Sequence, residues 1–275
     1  MVKVEFQGKE FYMDGYVKSN LDDIIKSVRQ DKDAIILITG RERSGKSVFG
    51  MQCAAYCDAA FGFDKIAFSS REFREKTLGA KKYSAIVWDE ALSGVRGVNW
   101  SHNINKGIVQ MLSEIGQLNL IIFIVCPNFF EFNKYIAIHR AIGLLHTYFD
   151  DVGNRGGVIG WGWNAKKKLY LMGKPFYNYN AVRGEFTASF TNYYPLNEQK
   201  YRSLKYAALK DAGEDKEPPV VAKMRGQRDG VLCFASDTLK ISDTQLTNDL
   251  KPYLDKDSLG RRQISSILQA KKGGV

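Results

Sequence analysis

Residues 34–47 read AIILITGRERSGKS. The first six, Ala34 to Thr39, form an apolar run bounded by charge. That is the pattern of a strand buried on both faces of a parallel sheet. Gly40-Arg41-Glu42-Arg43-Ser44-Gly45-Lys46-Ser47 then matches the Walker A pattern in full. A helix with apolar spacing is expected from Lys46 to about Ala60, which completes the strand, loop and helix the motif needs. Gly40 and Gly45 permit the tight loop. The main-chain amides of Arg43 to Ser47 are expected to point inward at phosphate oxygens, backed by the positive end of the helix. Lys46 is expected to reach the outer phosphates and Ser47 to ligate magnesium. A chance glycine-rich turn is the alternative, and the order strand, loop, helix argues against it.

The next informative stretch is residues 83–90, YSAIVWDE. Apolar strand residues end in two carboxylates, a Walker B pattern. Asp89 is expected to hold magnesium through water and Glu90 to polarise an attacking water. Glu90 as a loop-capping surface carboxylate is the bland alternative. The spacing from Walker A leaves room for one strand between the two motifs, Lys65 to Phe68. No N-K-x-D motif for reading guanine is present, so ATP is expected over GTP, and the chain is expected to be an ATPase.

Around these motifs, strands and helices alternate. Val2 to Tyr16 reads as a short hairpin, and Leu21 to Gln30 as a helix capped by Asn20. Helix Arg71–Leu78, strand Ser84–Trp88, helix Asn105–Gln117, strand Leu120–Cys126, helix Phe130–Ile142 and strand Leu144–Phe149 come after them. The fold class is therefore α/β: a RecA-like P-loop NTPase core, mainly parallel, with helices on both faces and ligands at the carboxyl ends of strands. After Asp151 glycines punctuate the chain, and a β-hairpin is expected with Trp161 and Trp163 on one face. A helix is expected over Tyr201–Leu209. The expected domains are residues 1–210 (ATPase with hairpin), 211–230 (a charged, proline-ended linker) and 231–275.

Several single residues are candidates. Asn128 comes after the strand Leu120–Cys126 and is either a γ-phosphate sensor or a helix N-cap. Arg140 is either an arginine finger reaching a neighbouring subunit or one half of a surface ion pair. Arg96 is a second finger candidate. His102, His139 and His146 lack ligand spacing and read as structural or surface residues. Cys53, Cys57, Cys126 and Cys233 lack metal-ligand spacing and read as reduced thiols, the first two buried.

The formal net charge is +10, which points to a polyanion such as DNA or to a solvated basic surface. Between Trp161 and Lys205 eight Lys or Arg oppose only Glu185 and Glu198. Lys166, Lys167 and Lys168 are placed at the hairpin tip, as phosphate contacts or as an ordinary charged turn. In residues 231–275 Ser242–Asp243 and Ser258 cap two helices. Arg261, Arg262 and Gln263 then face outward near the start of the second, as in a helix-turn-helix; a two-helix oligomerisation cap shows the same pattern. The longest apolar stretch, Leu120 to Cys126, is too short to span a bilayer. A soluble, cytoplasmic protein is expected.

GRERSGKS, IVWDE and the stretch LNLIIFIVCPNFFEFNKYIAIHRAIGLLHTYF together resemble the zonular-occludens-toxin-like ATPases of viruses and mobile elements. That group is similar to the HerA/FtsK superfamily of DNA translocases. The resemblance covers roughly residues 30 to 175. It implies a ring, hexameric by expectation, with ATP at subunit interfaces and DNA moved through a pore, as in genome packaging, transfer or replication. It also implies roles for Lys46, Ser47, Asp89 and Glu90 in nucleotide binding and hydrolysis, with Arg140 as the trans-acting arginine. The competing reading is a nucleotide-switched DNA-binding adaptor or regulator. A small-molecule kinase would need an arginine-rich lid, which the sequence does not offer.

Overall fold

A computed structural model describes residues 1–89, 110–150 and 153–213, all within a compact unit spanning Met1–Gly213. Glu90, Arg96 and His102 lie outside the described residues. So do Cys233, Arg261, Arg262 and Gln263, and nearly all of the expected linker and C-terminal domain.

The chain opens with β1 (Val2–Phe6) and β2 (Lys9–Met13). They pair antiparallel from Phe6↔Lys9 outward. Gln7 and Gly8 both have positive φ (48° and 75°), the two-residue turn whose twist suits a hairpin. Helix α1 (Gly15–Arg29) comes next, capped by Asp14, whose carboxylate accepts from the Tyr16 amide at 2.9 Å. The helix therefore begins six residues before the expected Leu21. Asn20 is not its cap, and its side chain donates to Tyr16 O at 2.7 Å inside the helix.

Beyond α1 lie β3 (Ala34–Gly40), α2 (Lys46–Cys57), β4 (Ile66–Ala67), α3 (Ser70–Leu78) and β5 (Ala85–Trp88). After the described chain resumes at residue 110 come β6 (Ile121–Val125), β7 (Gly143–Phe149) and β8 (Arg155–Trp161). Helix α4 (Trp163–Gly173), β9 (Phe186–Ser189) and helix α5 (Glu198–Gly213) complete the unit. The sheet order is β4-β5-β6-β3-β7-β8-β9. The first five strands run parallel, and β8 and β9 add an antiparallel edge. This is a mixed α/β fold with a mainly parallel sheet, compatible with a RecA-like core.

Alternation along each central strand divides the core into two layers. Ile36, Ile38, Phe123 and Val87 face the side covered by α1, α2 and the hairpin. Ile35, Leu37, Ile122 and Trp88 face the side of α3 and α4. Both faces are covered, which is why the strands read as unbroken apolar runs.

Two expected elements differ. The segment 130–142 is not one α-helix. It is a 3₁₀ turn, Phe129–Glu131, then a π-helical turn, Tyr135–Arg140, in which Ala141 N donates to Ile136 O at 3.0 Å. The side chains of Asn128 and Asn133 accept from the amides two residues on, so each starts a separate turn. The second difference is the glycine-rich hairpin. Residues 155–161 are a strand paired to β7, and 163–173 are a helix. The glycines mark close packing: a Cβ on Gly157 would meet the Tyr148 ring at 2.5 Å, and one on Gly160 would run into the Phe186 ring. Within α4, Lys166, Leu169, Tyr170 and Gly173 point inward at helical spacing. A lysine at an inward position concealed that pattern.

Candidate functional site

The parallel strands deliver their C-terminal ends to one rim of the sheet, where a doubly wound fold places its ligands. β3 ends at Gly40, β5 runs into Asp89, β6 into Cys126-Pro127-Asn128, and β7 carries Thr147 beside Gly40. The Gly40 amide reaches Pro127 O at 3.4 Å and the Asp89 amide reaches Ala67 O at 2.8 Å, which ties the strand tips together.

The loop from Gly40 to Ser47 is built for its backbone. Gly40, Arg43 and Gly45 have φ of 146°, 64° and 93°. A Cβ on Gly40 would collide with both the carbonyl oxygen and the hydroxyl of Thr147, so only glycine fits. A Cβ on Gly45 would meet the Phe190 ring at 2.8 Å. Thr147 braces the loop: its hydroxyl is 2.6 Å from Ser44 Oγ and 3.2 Å from Thr39 O. Ser44 Oγ in turn donates to Arg41 O at 2.7 Å. The Ser44 amide also turns into the loop, onto Arg41 O at 3.2 Å, and in this it departs from the inward-pointing set expected for Arg43 to Ser47.

Lys46 leads α2 and folds across the loop. Its ammonium donates to Gly40 O at 2.9 Å and Arg41 O at 2.7 Å. Burial holds its amine below the ordinary lysine range. Beside it, His146 is pushed down to about 4, first by burial and then by the Lys46 charge. It is therefore neutral near pH 7, with Nδ1 3.0 Å from Thr39 Oγ1.

Asp89 is fully buried. Ser47 Oγ donates to its Oδ1 at 2.9 Å. Its Oδ2 accepts from the Tyr201 hydroxyl and from Lys205 Nζ, the latter at 3.1 Å. Burial, then the Asp89 charge, pushes the Tyr201 phenol up. The residues at this rim suit a magnesium–triphosphate. Ser47 Oγ and Asp89 Oδ1 are hard oxygen donors of the kind magnesium takes, and they stand together at the rim. A lysine and the positive end of a twelve-residue helix stand beside them.

Other candidates are placed differently. Asn128 Oδ1 accepts from Phe130 N at 3.1 Å and Nδ2 reaches Glu131 at 3.4 Å, the geometry of a turn cap. Arg140 pairs with Asp33 and donates to Leu112 O at 2.6 Å. Asp33 precedes β3, so Arg140 sits at the far end of that strand, about 20 Å from the loop by strand rise, and is engaged within its own chain. Lys166 is buried, not at a tip: its ammonium donates to Ala137 O and to Ile138 O, the second at 3.4 Å. The expectation that it touches phosphate is overturned by that burial. Lys167 and Lys168 are exposed on α4.

Sequence reasoning missed Thr147, Tyr201 and Lys205. A polar residue inside the apolar run GLLHTYF was a signal for Thr147. Tyr201 and Lys205 stand 112 and 116 residues from Asp89, and nothing local to α5 marks them.

No protein-family model and no curated protein matches the chain. Among solved structures it is similar to the crystal structure of the N-terminal domain of zonular occludens toxin from Neisseria meningitidis. The identity is 15% and the TM-score 0.36, over 62% of this chain and 98% of that one. Among the described residues no helix is long and apolar enough to cross a membrane.

Proposed function

We propose that the chain is a P-loop nucleoside triphosphatase using ATP and magnesium, and that it acts as a motor on DNA in an oligomeric ring. The observation that carries the nucleotide reading is the meeting of Lys46, Ser47 and Asp89 at one rim of a parallel sheet. Lys46 would leave the Gly40 and Arg41 carbonyls for the outer phosphates. Ser47 and Asp89 would hold magnesium, which would supply positive charge beside the phosphates. Glu90, next in the chain, would orient the attacking water. Arg140 would act in trans only if a neighbouring subunit draws it from Asp33 and Leu112 O; Arg96 is the other candidate.

The DNA reading rests on charge. Lys167, Lys168 and Lys174 are exposed, and so are Leu171, Met172, Phe176 and Tyr177. Cations among exposed aromatic rings suit a nucleic-acid strand. The C-terminal residues Arg261, Arg262 and Gln263 would add base contacts. A nucleotide-switched DNA-binding regulator is the second reading. It is favoured by α5, which starts near Asp89 and leads in sequence into residues 214–275.

Measuring fluorescent-ATP binding and phosphate release tests the first claim. Lys46→Ala should abolish nucleotide binding or turnover, and Glu90→Gln should bind ATP but hydrolyse it slowly. DNA should stimulate turnover at low salt, with a steep loss as salt rises. A rate indifferent to DNA ends the motor reading. Sizing with ATP analogue and DNA separates ring from regulator.

A further inference from the structure

Helix α5 reaches the strand tips with two side chains one turn apart, Tyr201 and Lys205. Both end on Oδ2 of Asp89, while Ser47 takes Oδ1. A buried carboxylate needs a compensating charge, and the Lys205 ammonium supplies it. The two partners differ in freedom. Tyr201 is buried against Phe68 and Tyr194, with ring centroids 5.9 and 6.1 Å away. Lys205 keeps a side-chain exposure of 24%, so it has a path to water.

The hold on α5 is thin. Among its described residues Tyr201 alone is buried, while Leu204 and Tyr206 are exposed. The ionic contact with Asp89 therefore helps to keep the helix beyond Tyr201 in place. It uses the carboxylate that the proposed magnesium would need. A divalent cation between Ser47 and Asp89 would face the Lys205 ammonium within a few ångströms, and two cations on one carboxylate repel.

We propose that Lys205 is the counter-cation of Asp89 which magnesium displaces, so that loading the site with metal and nucleotide frees α5 beyond Tyr201. The inference rests on the nucleotide reading of the strand tips and adds its regulation. Metal and helix compete for Asp89, and by linkage each weakens the other. The state of the site is thereby passed along α5 to the segment that continues after Gly213. The Tyr201 hydroxyl, uncharged, stays as the hinge of the motion.

Two measurements on the full chain test this. In the first, a fluorescent ATP analogue is titrated with magnesium. Lys205→Met is expected to lower the magnesium concentration for half-maximal binding about tenfold, because an opposing charge has gone. Binding in EDTA should change less than about twofold, since nothing is displaced without metal. In the second, amide hydrogen exchange of α5 is monitored in the wild-type chain. Exchange beyond Tyr201 should rise with magnesium–nucleotide and stay unchanged with nucleotide in EDTA. An unchanged or higher magnesium requirement in Lys205→Met, or slower exchange of α5 on loading, overturns the proposal and makes Lys205 a phosphate ligand or a fixed brace. If Lys205→Met does not fold, the wild-type exchange experiment decides alone. A wild-type chain that binds no nucleotide overturns the nucleotide reading itself, and this one with it.

Discussion

Asp89 and Lys166 are both fully buried ionisable side chains, and the fold treats them in opposite ways. Asp89 sits at a strand tip and is met by two hydroxyls and an ammonium, the ammonium on a helix with a thin hold. Lys166 sits inside α4, its ammonium over the Trp163 ring at 5.2 Å and bonded to two carbonyls of the π-helical turn Tyr135–Arg140. Those carbonyls lie at the C-terminal end of the turn, where helical oxygens lack partners and carry partial negative charge. Lys166 is thus a cap that locks α4 to the turn. A buried charge with exchangeable partners can be a working site. One wedged against fixed main-chain oxygens is a staple.

The largest effect should come from breaking the working end. Asp89→Asn is expected to lower magnesium-dependent phosphate release about 100-fold or more in a protein whose circular dichroism shows it still folded. Unchanged release would erase the distinction between the two sites.

The staple is tested by pH. Burial holds Lys166 at about 8, against roughly 10.4 in the unfolded chain. Between these values the unfolded chain binds more protons, so the contribution to stability rises with pH. Urea unfolding should therefore show the wild type gaining roughly 2 kcal/mol over Lys166→Met from pH 7 to pH 10. Affinity for DNA should be the same in both.

His146 sharpens the contrast beside the loop itself. Its folded value of about 4 lies below the ordinary 6.5, so stability falls as the solution is acidified through that window. His146→Gln should remove about 2 kcal/mol of that loss, read from unfolding at pH 7 and pH 4.5. The smallest effect is expected at the strand tip beside them. Asn128→Ala should cost about 1 kcal/mol as a lost cap and leave turnover within about threefold. A larger fall in turnover would return Asn128 to the working site.

Much of the parallel half was legible. AIILIT, AIVW and IIFIV announced central strands because both their faces are covered, and the loop's glycines announced a turn few other residues can adopt. The antiparallel edge was not. Gly157 and Gly160 read as turn formers, yet they lie under aromatic rings. The inward lysine of α4 broke an otherwise clear helical stripe. The helix expected after β6 failed because Asn128 and Asn133 offered the backbone local bonds that compete with an α-helix.

At the candidate site, the identity and chain order of Gly40, Lys46, Ser47 and Asp89 were determined by sequence alone, since loop dihedrals and strand ends impose local rules. Only the tertiary structure decided that Thr147 braces the loop, that Lys166 is a cap, and that Tyr201 and Lys205 meet Asp89. Those contacts join residues far apart in the chain. Their partners are set by strand order and helix docking, quantities to which no short window of sequence is sensitive.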